Sequence, residues 1–514
     1  MPLILTIDAI HDAYASGDHT PTSLCKVLLS RISECHDAIF IAKPDEAQVF
    51  ARCRFLESQP QHERGPLWGV PFAVKDNIDA LGYQTTCACP AFAYTPQQDA
   101  VVVAKLLHAG AIVMGKTNLD QFACGLVGTR SPYGAPPNAM DDRFISGGSS
   151  SGSAVAVAKG LVSFALGTDT AGSGRVPAGL NGIVGIKPTV GRCSTKGIVP
   201  ACFSLDCPSV FALSVKDGSM VASIMENHVE EYPGIEDPTW REPPPLSVPQ
   251  KSLVLNSIHS KGSSNTDGRL VFRFGLPSWD RGELDISGPG GLDVERALTS
   301  AMDEAVKRLE SIGGIWMKDF EFSPFAKTAS MLYQGPFVAE RYSGIRWFLK
   351  GYVSSVSEDD RLLPITRSII SNHSKWNAAD VFTALEDLAH LKAAARVQMA
   401  TVDIIVVPTV AHYYTVKSVL EEENNLDGAK NTSLGRFTNF VNLLDLCGVS
   451  VPSSVVHANY DHLQPRDGTE SASAIQLPFG VTLLAPAWHD AYVAGIAQEF
   501  EQRGNASVLN YSQE

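Results

Sequence analysis

The chain has 514 residues, of which 44% are hydrophobic and 19% charged, a balance that supports a large buried core and excludes wholesale disorder. Its net charge of -14 argues against nucleic acid or an anionic membrane as partner, since both require clustered Lys and Arg. The apolar start at residues 1–5 has no basic segment and meets acids at once, so it reads as a strand or helix start in a cytoplasmic protein; no window approaches the ~18 apolar residues of a membrane span.

In chain order, Leu24, Val27, Leu28 and Ile32 recur on one helical face, with Thr20 or Thr22 as cap. Residues 70–74 form a short apolar strand that ends on Lys75, an awkward residue for a core and therefore informative. A helix over 100–107, a turn at Gly110 and a strand over 111–114 follow. Helix and strand signals alternate to about residue 225, the pattern of an α/β protein with helices on both sheet faces. Residues 233–272 turn Pro-, Ser- and Gly-rich and read as a surface insertion. Strand 272–276, helix 291–312, a strongly helical insertion at 327–400, strand 404–408, a helix-forming stretch at 437–446 and strand 477–484 complete the chain before a polar tail at 501–514.

The 10 cysteines are scattered without a CxxC pair and read as free thiols; neither they nor any other cluster suggests a metal, and no cofactor is expected. Gly110 to Thr117 matches the phosphate-loop pattern GxxxxGK[ST] letter for letter. Its interior, Ala111-Ile112-Val113-Met114, is the strand itself with a helix in front, so no phosphate site is expected.

Chemistry concentrates elsewhere. Two small-residue turns, GGSSSG at 147–152 and DTAGSG at 169–174, carry Ser149 and Ser173. A serine needs a base to become a nucleophile, and a neutral lysine in a dry pocket, here Lys75, can serve. Glycine turns before Ser173 would supply N–H groups to an oxyanion. On the residues alone, Lys75 as an ion-paired strand end and the serines as turn residues remain the alternative.

Taken together, GVPFAVKDN around Lys75, GGSSSGSA around Ser149 and GTDTAGSGRVPAGLNGIVGIKPTVGR around Ser173 resemble the amidase signature family. The resemblance covers nearly the whole chain and implies one amidase domain over 1–500, with a mixed twisted β-sheet covered by helices on both faces. It implies a triad in which Ser173 is the nucleophile and Ser149, on a cis non-proline peptide, relays its proton to Lys75. The amides of Thr170, Ala171, Gly172 and Ser173 would form the oxyanion hole, and Asp169 would pair with Arg175 to hold the loop.

Within that family, the stretches at 125–134, 205–207, 333–342 and 438–445 look like those of the allophanate hydrolase group, which includes the hydrolase region of fungal urea amidolyases. This resemblance implies hydrolysis of a small-molecule amide, allophanate, in urea degradation, with Tyr333, Arg341, Gly125 and Gly128 at the substrate. An arginine suits a carboxylate, which it binds through two parallel hydrogen bonds. On one helix, Tyr333 and Arg341 would face the same side. Two departures stand out: Phe203 occupies a place where the resemblance implies a basic residue, and the group's C-terminal domain is absent before Glu514. Either the chain is a piece of a longer protein, or the second step, on the first product, is spontaneous or performed elsewhere. An amidase of another small or aromatic amide, with Phe203 reshaping the pocket, and a glutaminase-type amidotransferase subunit are the alternatives. The helical insertion is a candidate homodimer surface.

Overall fold

An 11-stranded sheet organises the computed structural model, which describes residues 3–226, 237–244, 271–286, 288–351, 357, 359–461, 463 and 474–504. Its strands are β1 (Phe40–Ala42), β2 (Pro71–Lys75), β3 (Ile112–Thr117), β4 (Phe164–Asp169), β5 (Val184–Lys187), β6 (Cys207–Ala212), β7 (Phe272–Gly275), β8 (Gly314–Trp316), β9 (Ile404–Pro408), β10 (Leu446–Asn459) and β11 (Ala474–Pro486). They lie in the order β1-β3-β2-β4-β6-β5-β10-β11-β9-β7-β8. The sheet is mixed: β2 runs parallel to β3 and β4, and β7 parallel to β8 and β9, while the remaining pairs are antiparallel.

Every residue of β2, β4, β5, β6 and β9 is buried, which requires cover on both faces. Helices Ser151–Ala158 and Val176–Asn181 pack on each other and on the sheet; helices Val215–Met225 and Asp490–Gln502 form another such set. A hydrophobic core runs from Leu5 to Phe500, and a smaller cluster of Cys87, Cys89, Phe92, Phe122 and Phe348 ties helix Val338–Lys350 to the loops after β2 and β3. Among the described residues no helix is long and apolar enough to cross a membrane.

Several expectations are refined. Thr20, with Ser23, closes a capping box on helix Pro21–Glu34, but Val27 is 42% exposed. The buried stripe is Leu24, Cys25, Leu28, Leu29 and Ile32, and Val27 falls outside it. The phosphate-loop pattern is strand β3: Gly115 lies within it, where a Cβ would stand 2.6 Å from the Ala42 carbonyl, and Lys116 is buried against Asp76 at 3.3 Å. The stretch 437–446 is helical only over Phe440–Leu443 and turns into β10, which has no counterpart among the expected elements. Helix Asp490–Gln502 was likewise not anticipated. Most of the Pro- and Ser-rich stretch 233–272 and the tail from 505 onward lie outside the described residues.

Candidate active site

The register of β2 and β4 builds the centre. Phe72, Ala73 and Val74 pair with Phe164, Ala165 and Leu166, so Lys75 ends its strand beside Gly167 and Thr168. Its Nζ lies 2.8 Å from Ser149 Oγ and 2.8 Å from Thr168 Oγ1, and its side chain is fully buried. Burial pulls the Lys75 pKa down to about 7, against the opposing pull of the Asp120, Asp206 and Asp169 carboxylates. The Gly148–Ser149 peptide is cis. The Ser149 carbonyl accepts the Asp120 N–H at 3.0 Å, and Asp120 in turn accepts the amides of Gly128 (3.1 Å) and Arg130 (2.9 Å).

Ser173 sits buried in the turn after β4, and its hydroxyl donates to the Gly125 carbonyl at 3.5 Å, not to Ser149. Asp169 and Arg175 pair through two bonds of 2.9 Å, with both side chains fully buried. Burial alone would raise the Asp169 carboxyl, but the guanidinium outweighs it and holds the pKa below its ordinary value. The same carboxylate accepts the amides of Gly172 (2.9 Å) and Gly174 (3.1 Å), which shapes the turn that carries Ser173. The Gly172 N–H, one of the four expected oxyanion donors, is thus directed to Asp169. The amides of Thr170, Ala171 and Ser173 carry no hydrogen bond among the described residues.

The amidase family profile matches residues 24–254 and 287–493. The chain belongs to the amidase signature family. It is 37% identical to urea amidolyase of Lachancea kluyveri over 486 residues, which is 95% of this chain and 23% of that protein. Urea amidolyase of Saccharomyces cerevisiae is 38% identical over 466 residues, 91% of this chain and 22% of the relative. The chain thus spans about a quarter of the length of these curated relatives. The allophanate hydrolase structure of Kluyveromyces lactis superposes with a TM-score of 0.77 at 34% identity, covering 96% of this chain and 72% of that one.

In this amidase-signature chain, Arg341 is buried with its Nη1 on the Ala123 carbonyl (3.2 Å) and its Nη2 on the Tyr333 hydroxyl (3.0 Å). Its Nε–H is buried without a partner, and it makes no ion pair among the described residues. Burial would lower its pKa, yet the Tyr333 hydroxyl, the Cys202 and Cys124 thiols and Asp206 hold it above the ordinary value. Burial also pushes Tyr333 up to about 12, against the Arg341 charge. The two residues do not share a helix: Tyr333 lies in the last turn of Ser323–Gln334 and Arg341 on Val338–Lys350, so they meet across the break that begins at Gly335.

Two further expectations change. The Gly128 N–H donates to Asp120, and a Cβ at Gly128 (φ +78) would stand 2.5 Å from the Gly147 carbonyl, so Gly128 packs directly against the turn that carries Ser149. Phe203 is 54% exposed at a surface turn and does not fill the interior of the site. Asp120, Thr168, Asp206 and Asn442 went unremarked as site residues. Asn442 donates to the carbonyls of Asp169 (2.8 Å) and Leu205 (2.9 Å), linking the turn that carries Ser173 to the loop before β6. Only Asp120 left a signal in the sequence, standing with Asn118 and Gln121 among the apolar residues of the 118–124 loop; all three prove buried. Among the described residues no group of three or more His, Cys, Asp or Glu is arranged to hold a metal ion.

Proposed function

We propose that this chain hydrolyses the terminal amide of allophanate, releasing ammonia and N-carboxycarbamate, through Ser173, Ser149 and Lys75. The observation that carries the reading is the fully buried Lys75–Ser149 hydrogen bond at 2.8 Å, with the amine brought to about 7. A lysine in that range is half neutral near pH 7 and able to accept a proton.

Ser173 turns its hydroxyl from the Gly125 carbonyl toward Ser149 and attacks the amide carbon. Its proton passes to Ser149 Oγ as the Ser149 proton passes to Lys75. Negative charge gathers on the carbonyl oxygen, where the N–H groups of Thr170, Ala171 and Ser173 receive it. The ammonium of Lys75 then returns its proton through Ser149 to the leaving nitrogen, and ammonia departs. Water enters by the same relay and releases the N-carboxycarbamoyl group from Ser173. At the other end of the substrate, the Arg341 guanidinium, a buried cation with an unpaired Nε–H, receives the carboxylate beside Tyr333.

A second reading, hydrolysis of a neutral or larger amide, draws on Phe203, which stands exposed where a basic residue is implied. Ammonia release from allophanate, biuret, malonamate and glutamine separates the two. Turnover of allophanate well above biuret is the expected result; equal or inverted rates would overturn the assignment. Lys75→Ala, Ser149→Ala and Ser173→Ala are each expected to abolish release from every substrate cleaved.

A further inference from the structure

Strands β4 and β6 pair so that Asp169 faces Cys207, which brings Asp206 opposite Thr170 just beyond the ladder. The buried Asp206 carboxylate reaches to both sides of this point. Oδ1 accepts the Thr170 hydroxyl, Oδ2 accepts the Ala201 N–H at 2.7 Å, and both oxygens receive the Cys202 N–H at 3.1 Å. Further along the same turn, Ser204 gives its N–H (2.7 Å) and its hydroxyl (2.9 Å) to the Glu340 carboxylate. Glu340 immediately precedes Arg341 on its helix. Two sets of hydrogen bonds, joined by the backbone of residues 202–204, therefore link the turn that carries Ser173 to the helix that carries the buried arginine.

We propose that Asp206 is a positioning residue that sets the spacing between the 170–173 amides and Arg341, so that only an amide whose anion lies at the matching distance has its carbonyl in register with the oxyanion donors. This rests on the acyl-transfer reading above. The physical reason is that Thr170 is held at its side chain, which fixes the direction of its own N–H and of the next. Misplacing such donors by an ångström costs about a hundredfold in rate. A carboxylate suits the task because every partner is a donor; an amide side chain would set an N–H against an N–H. Burial lifts the Asp206 carboxyl to about 6, with the Thr170, Cys202 and Ala201 donors opposing, so it is ionised at pH 8.

A simple brace of the fold would lower stability without sorting substrates by charge or separating kcat from KM. The test uses the full chain with Thr170→Val, Thr170→Ser, Asp206→Asn and Glu340→Ala, measuring kcat and KM for allophanate and biuret at pH 8 together with Tm. Thr170→Val and Asp206→Asn are expected to lower kcat on allophanate about tenfold to a hundredfold while KM moves less than about threefold. Thr170→Ser, which restores a hydroxyl, is expected to recover most of that loss. Glu340→Ala is expected to lower kcat/KM for allophanate and leave that for biuret unchanged. Thr170→Val keeping kcat within about twofold, Val and Ser variants falling together, or Glu340→Ala acting equally on both substrates would each overturn the proposal. Should Asp206→Asn fail to fold, the Thr170 pair decides alone. Wild-type protein that releases no ammonia from allophanate would sink the substrate reading instead, and the variants are then compared on whichever amide it cleaves.

Discussion

Lys75 Nζ and Ser149 Oγ stand 2.8 Å apart with neither side chain exposed, so the only proton traffic open to Ser149 on that side is with an amine. The same amine donates to the Thr168 hydroxyl, which is uncharged and gives it no counter-ion. Desolvation has to be the dominant influence on such a group, and it brings the pKa to about 7.

The first prediction is therefore kinetic. Lys75 must be neutral to accept a proton, so kcat/KM should rise with pH and level off above an inflection near 7. Below that point each unit of pH should cost about tenfold. A pH–rate profile of ammonia release checks it; a profile flat from pH 5.5 to 8.5 would remove Lys75 as the base.

A second prediction concerns stability. The folded pKa of Lys75 lies below the ordinary value of about 10.4, so between pH 7 and 10 the unfolded chain binds the extra proton. Wild-type stability should rise with pH over that window, and below pH 7 the full penalty, on the order of a few kcal/mol, should be present. Lys75→Met keeps the volume without the charge. Its Tm minus that of the wild type should be largest near pH 6 and shrink steadily toward pH 9.5.

At the other end of the site, Arg341→Ala should raise the KM for allophanate about a hundredfold and that for biuret less than about threefold, since only the former carries a charge to pair. Tyr333→Phe removes the hydroxyl that accepts from Arg341 at 3.0 Å, and a smaller rise in the same direction is expected. Steady-state kinetics on the two substrates provide the comparison.

How far the site could be read in advance follows from what kind of signal each residue leaves. Lys75, Ser149 and Ser173 stand out as candidates in the sequence because each has an unusual local setting: a lysine closing an apolar strand, and serines crowded with glycines. Asp206 and Asn442 break none; their meaning comes from partners brought near by the β4–β6 ladder and by the short helix Phe440–Leu443. Arg130 and Glu423, paired at 2.5 Å yet 293 residues apart, likewise leave no local trace. Strand β10 was hidden by its own composition: Gly448, Pro452 and paired serines dilute the alternation, and its pairing with β11 slips at Pro452, which cannot donate to a ladder. The positive φ values of Phe122 and Ala123, which no sequence preference favours, fall in the turn in which the Ala123 N–H donates to the Asp120 carbonyl and the Asp120 N–H to the Ser149 carbonyl.

The last prediction tests the support of the turn that carries Ser173. Arg175 is the partner that keeps the buried Asp169 ionised, and it also donates twice to the Thr438 carbonyl at 3.2 Å. Arg175→Met leaves Asp169 desolvated with only the Gly172 and Gly174 amides to receive its charge. Loss of one partner of a buried pair costs about 3–5 kcal/mol, so Tm at pH 8 should fall by several degrees or more. The sign with pH follows from the carboxyl. In the wild type its pKa is depressed, so the stability it contributes is present above the ordinary carboxylate range and is lost as pH falls through the folded value. In the variant, burial acts unopposed by the guanidinium and raises that pKa, so protonation relieves the strain at higher pH. The Tm gap between wild type and variant should narrow as pH is lowered from 8 to 5, and calorimetry across that range gives the answer; a gap that stays constant or widens would mean that the pair contributes by packing and not by charge.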